Sequence, residues 1–150
     1  MSIKKPKHTI LVVDDESLIV ELIVECLLGS DYQVITASNG VDAIAQYHKY
    51  EPDLIISDIV MPEMDGISMV KKLQESFPDI KVLLMTGYPG LAREALGNQM
   101  NELGVVCLME KPLNVIELIS TVHVLLLDKT MMEFAAPARN ASVAEMSLAG

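Results

Sequence analysis

Short apolar runs alternate along the chain with longer segments in which apolar positions recur every three or four residues. The runs are Thr9 to Val13, Gln33 to Ala37, Asp53 to Ser57, Ile80 to Met85 and Val105 to Met109, each rich in Val, Ile or Leu. Runs of this length read as buried strands. Between and after them the spacing predicts helices over about 16–28, 40–50, 66–76, 90–103 and 113–127. Gly29, Pro78 and Gly104 fall where three of these helices should stop. Continuous apolar strands separated by helices imply a parallel sheet covered on both faces.

The expected class is therefore α/β, a (βα)5 doubly wound sheet. Five units wind as an open sheet in the flavodoxin-like order 2-1-3-4-5, whereas a closed barrel needs about eight. Ligands of such sheets lie beyond the carboxyl ends of the strands, at the switch point between strands 1 and 3. After Leu127 the pattern fades into scattered Ala, Ser and Met, with Phe134 as the one aromatic. This divides the chain into a basic extension over 1–7, carrying Lys4, Lys5 and Lys7, a domain over 8–127, and a tail or linker start over 128–150.

Composition narrows the function classes. The chain has 150 residues, with 21 acidic against 11 basic side chains and a net charge of −10. Nucleic-acid binding needs a basic face that displaces counterions, so none is expected. No uncharged apolar run reaches the roughly 18 to 20 residues that cross a bilayer, and no signal pattern follows Met1 to Lys7. A cytoplasmic protein without membrane contact is expected. Cys26 and Cys107 sit in apolar segments without metal-ligand or redox spacing, and His8, His48 and His123 stand alone.

The polar chemistry gathers at one edge of the predicted sheet. Strand 1 ends in Asp14-Asp15-Glu16, strand 3 in Asp58, strand 4 in Thr86 and strand 5 in Lys111-Pro112. Singly, each has an ordinary reading: helix caps for the acids, a turn for Thr86-Gly87, a strand exit for Lys111-Pro112. Jointly they suit one chemistry. Clustered carboxylates repel unless a cation lies among them, and an all-oxygen donor set suits Mg2+ or Mn2+. Such an ion keeps room for a phosphate, to which Lys111 offers a charge and Thr86 a hydroxyl. A carboxylate nucleophile there would form an acyl phosphate.

The chain resembles the response-regulator receiver domain of two-component signalling. The matching motifs are Ile10-Leu11-Val12-Val13-Asp14-Asp15-Glu16, Asp58-Ile59-Val60-Met61-Pro62-Glu63-Met64-Asp65-Gly66, Leu84-Met85-Thr86-Gly87 and Lys111-Pro112, in order over residues 9–127. The resemblance implies that Asp58 accepts a phosphoryl group from a phosphohistidine on a sensor histidine kinase or phosphotransfer protein. Asp14, Asp15, Asp58 and the backbone carbonyl of Val60 would surround Mg2+, Lys111 would bond the phosphate, and Thr86 would move toward it. A cis peptide bond before Pro112 is also implied. The chain departs from the family at Leu108, where members usually carry the aromatic switch residue. Tyr88, two residues after Thr86, is the nearest aromatic, and that position in the family tunes the lifetime of the phosphoryl group. Gly87 stands where alanine is commoner and should loosen the loop.

The helices suggest surfaces. Nine of the twelve residues Ser17 to Leu28 are apolar, and nine of the thirteen from Val115 to Leu127, more than one buried face hides. In the family the first helix docks the histidine-bearing partner, helix 4, strand 5 and helix 5 form the output face to a downstream partner, and helix 5 contributes to homodimers. Gly97 interrupts the predicted helix 4 and, with Gly87, Pro89 and Gly90, makes it the element most easily rearranged. The expected function is a phosphoacceptor switch and not a metabolic enzyme. The alternative is a degenerate receiver that acts as a phosphorylation-independent interaction module. A flavin module on the same fold lacks support, because the loop after strand 1 is acidic and Trp is absent. An aspartate-nucleophile phosphatase lacks its Asp-x-Asp at that place.

Overall fold

A computed structural model describes residues 8–127; the extension 1–7 and the tail 128–150 lie outside the described residues. Ten elements alternate: β1 (His8–Val13), α1 (Ser17–Leu27), β2 (Tyr32–Ala37), α2 (Gly40–Tyr50), β3 (Leu54–Asp58), α3 (Gly66–Gln74), β4 (Val82–Thr86), α4 (Pro89–Leu96), β5 (Val105–Glu110) and α5 (Val115–Leu125). The strands form one sheet in the order β2-β1-β3-β4-β5, and every pair is parallel. The fold is the flavodoxin-like (βα)5 sheet that the alternation of runs implies.

Period-2 alternation divides the core. Leu11, Val13, Ile55 and Leu84 pack on one face with Ala43 and Tyr47 of α2, Met69 and Leu73 of α3, and Ala92 and Leu96 of α4. Ile10, Val12, Ile56, Leu83 and Met85 pack on the other with Ile23 and Leu27 of α1 and Leu118 and Val122 of α5. The central strands β3 and β4 are buried at every position, so their sequences read as continuous apolar runs. β5 differs: its register jumps from Val82↔Val105 to Leu83↔Cys107, leaving Val106 unpaired and turned outward.

Capping and glycine geometry set the element ends. Asn39, Asp65 and Asn114 accept the backbone N–H groups of Asp42, Ser68 and Glu117 at 2.8, 2.8 and 3.0 Å, closing the first turns of α2, α3 and α5. Gly66 starts α3 against the carbonyl of Asp58, where a Cβ would collide with that oxygen. The predicted helix over 90–103 is shorter than its spacing suggests. α4 ends at Leu96, and Gly97 follows at φ 54°, ψ −128°, its N–H donating to the Arg93 carbonyl at 2.8 Å. The apolar positions Met100 and Leu103 beyond it belong to turns that still pack on the α4 side, which is why they carried a helical spacing.

Candidate functional site

Parallel pairing brings the carboxyl ends of the strands to one edge. Val13 sits between Ala37 of β2 and Ser57 of β3, so Asp14 and Asp58 emerge side by side at the switch point. Asp58 pairs with Met85, which places Thr86 next beyond it on β4. The backbone N–H of Lys111 donates to the Thr86 carbonyl at 2.7 Å and pins the exit of β5 to that of β4. The Lys111–Pro112 peptide bond is cis.

The side chains converge on one ammonium. Lys111 Nζ donates to Asp58 Oδ2 at 3.1 Å and to Asp14 Oδ2 at 3.2 Å, and Glu16 Oε1 lies 3.8 Å from it. Asp14, Asp58 and Thr86 are buried. Asp14 Oδ1 also accepts the backbone N–H of Glu16 at 2.9 Å. That bond to the residue two positions on is an Asx turn, and it folds Glu16 back over the same edge. One oxygen from each of Asp14, Glu16 and Asp58 lies within 4.8 Å of the others. Oxygen donors so close already gather one cation, Lys111, and their hard chemistry fits a divalent ion such as Mg2+ or Mn2+.

Burial pushes the Asp14 carboxyl above the usual carboxylate range, against the opposing pull of the Glu16 N–H and Lys111, and the charge of Asp58 adds to the rise. Burial works to lower Lys111, but its hydrogen bonds to Asp58 and Asp14 and their charges outweigh it, so the ammonium is held more firmly than usual.

The remaining expected residues stand as follows. Asp15 is exposed and outside the three-carboxylate group, beside a cleft of about 390 Å³ that it lines with Asp14, Ser17 and Asp42. Val60 is exposed next to Ile59 on the loop after β3. The Thr86 hydroxyl accepts the backbone N–H of Tyr88 at 2.9 Å, and Tyr88 is exposed at the start of α4. Leu108 packs half-buried on the α4 side of the sheet. Sequence reasoning assigned no role to Glu16. The signal was the aspartate two residues before it, a side chain prone to capture the N–H of residue i+2.

These features define a class: an open α/β domain whose converged chemistry, among the described residues, is carboxylates around one lysine at the switch point. Residues 10–123 match the family described as the response regulator receiver domain. The chain is 36% identical over 137 residues to the alkaline phosphatase synthesis transcriptional regulatory protein PhoP of Bacillus subtilis, covering 91% of this chain and 55% of that protein. It is 35% identical over 78 residues to the chemotaxis protein CheY of Bacillus subtilis, 51% of this chain and 65% of CheY. A response regulator receiver domain protein from Clostridium thermocellum superposes with a TM-score of 0.72 at 26% identity, over 83% of this chain and 98% of that one. Chemotaxis protein CheY4 of Vibrio cholerae gives 0.71 at 28% identity, over 79% and 98%. The chain spans about half of PhoP and only 12% of the sensor kinase CckA of Brucella abortus, which it also matches.

The chain belongs to the response regulator receiver domain family, the signalling domain of two-component systems. Among the described residues no helix is long and apolar enough to cross a membrane.

Proposed function

We propose that the chain is a phosphoacceptor switch in which Asp58 takes a phosphoryl group from a phosphohistidine on a sensor kinase or phosphotransfer protein. The observation that carries this is the Lys111 ammonium 3.1 Å from Asp58 Oδ2, at the end of a fully buried strand. A carboxylate oxygen of Asp58 forms a bond to phosphorus as the P–N bond breaks. The leaving ring nitrogen keeps the bonding pair and, with the proton on the other nitrogen, neutral imidazole departs. Lys111 is positioned to follow the charge onto a phosphoryl oxygen, and the Thr86 hydroxyl, released from the Tyr88 N–H, can donate to another. Asp14, Asp15, Asp58 and the Val60 carbonyl would hold Mg2+ or Mn2+, which supplies neutralisation of the phosphoryl oxygens. The domain assists its own loading and slow hydrolysis and turns over no other substrate.

Two faces suit partners. Leu18 and Leu22 on α1 and Leu28 at its C-cap are exposed, beside a groove of about 610 Å³ that also carries Glu21 and Glu25, and this face would receive the kinase or phosphotransfer protein. Leu91, Val106 and Ile116 are exposed on α4, β5 and α5, the face that would change on phosphorylation and bind a downstream protein or an output domain. A cytoplasmic location accords with both.

Incubation with Mg2+ and acetyl phosphate tests the acceptor. Intact mass should show a single phosphoryl addition that Asp58→Asn abolishes. Failure of the wild-type chain to take up phosphate would favour an interaction module, and addition to Asp58→Asn would move the acceptor elsewhere.

A further inference from the structure

Glu16 accepts the first N–H groups of α1 at its carbonyl, from Ile19 at 3.1 Å and Val20 at 3.2 Å, but its side chain has no part in holding the helix. It occupies the N-cap position of α1, but its side chain makes no cap hydrogen bond, while the corresponding Asn39, Asp65 and Asn114 cap α2, α3 and α5. Its carboxylate lies instead 3.8 Å from Lys111 Nζ. The Asx turn at Asp14 holds its backbone there. Its side chain is 64% exposed against 0% for Asp14 and 9% for Asp58, so it occupies the solvent side of the lysine, where a phosphoryl donor must arrive.

Three carboxylates thus share one ammonium, and the group carries an excess of two negative charges. A donor phosphate adds more. From these charges we propose that Glu16 is a specificity-determining residue: it competes with the incoming phosphoryl group for Lys111, and so makes loading of Asp58 depend more steeply on a bound divalent cation. This rests on Asp58 being the acceptor. In the step it governs, with acetyl phosphate as donor, the Asp58 oxygen bonds to phosphorus as the P–O bond to acetate breaks, and acetate leaves with the bonding pair. The phosphoryl group then needs the Lys111 proton donors that Glu16 faces. Removing the Glu16 charge should weaken cation binding and ease the approach of the anionic donor.

Glu16→Gln is the test, with Glu75→Gln as the control that removes an exposed acid at the far end of α3, away from Lys111. Mn2+ affinity, read by electron paramagnetic resonance without any donor, should fall about tenfold in Glu16→Gln, as expected for one charge lost a few ångströms from a divalent ion in a wet site. At saturating cation its loading by acetyl phosphate should be at least about threefold faster, with a flatter dependence on ionic strength. Glu16→Asp should fall between wild type and Glu16→Gln, and Glu75→Gln should match wild type. Unchanged Mn2+ affinity together with unchanged or slower loading of Glu16→Gln would overturn the competition, as would equal effects from Glu75→Gln. A wild-type chain that takes up no phosphate would instead remove the acceptor reading on which it stands.

Discussion

Tyr47 shows how one side chain couples the fold to pH. It is buried on α2, its ring 4.7 Å from that of Phe77, and burial, with Glu51 and Asp53 adding charge, raises its phenol above 10.0. The folded chain therefore holds this proton more tightly than the unfolded one. Its contribution to stability is complete below the unfolded value near 10 and is lost as pH rises through the folded value. Urea unfolding should show stability falling above about pH 10, and Tyr47→Phe should flatten that slope while costing little at pH 7. An equal slope in both proteins would assign it elsewhere. At this scale the site was partly legible. Asp14, Asp58 and Lys111 could be found from sequence because strand ends share an edge in any doubly wound sheet. Glu16 was missed because its place depends on the Asp14 side chain capturing its backbone N–H, a local cue that apolar periodicity does not record.

Element ends obey local chemistry that periodicity blurs. Met100 and Leu103 continue the apolar spacing of α4, yet the helix stops at Leu96 because Gly97 adopts φ 54°, ψ −128°, a backbone region essentially closed to residues with a Cβ. The two readings of Gly97 predict opposite outcomes. Inside a helix, Gly97→Ala would stabilise by about 1 kcal/mol. At the observed conformation it should destabilise by about 1–3 kcal/mol, although nothing lies within 4 Å of the added Cβ. Thermal or urea denaturation decides by sign alone. The strands were the more legible elements, since β3 and β4 are buried on both faces and their apolar runs cannot be mistaken for amphipathic helices of similar length.

Across the described residues, exposed apolar side chains are distributed over separate regions while Asp14, Glu16 and Asp58 converge at one edge. The excess of apolar residues in α1 and α5 was visible in the sequence, but which of them face outward was not. That depends on how the two helices share one face of the sheet, where Ile23, Leu27, Leu118 and Val122 take the buried positions. Leu18 and Ile116 are left among the most exposed apolar side chains, at 76% and 78%. Being exposed, neither should cost more than about 0.5 kcal/mol when cut to alanine. If α1 receives the phosphohistidine partner, Leu18→Ala should slow loading from a cognate kinase about tenfold, since central apolar anchors cost roughly 1–2 kcal/mol when removed. Loading by acetyl phosphate, which needs no docking face, should be unchanged. Ile116→Ala should leave both rates intact and weaken only the downstream complex. Equal loss with kinase and acetyl phosphate in Leu18→Ala would show a disturbed site, and loss in Ile116→Ala alone would move the docking face to α5.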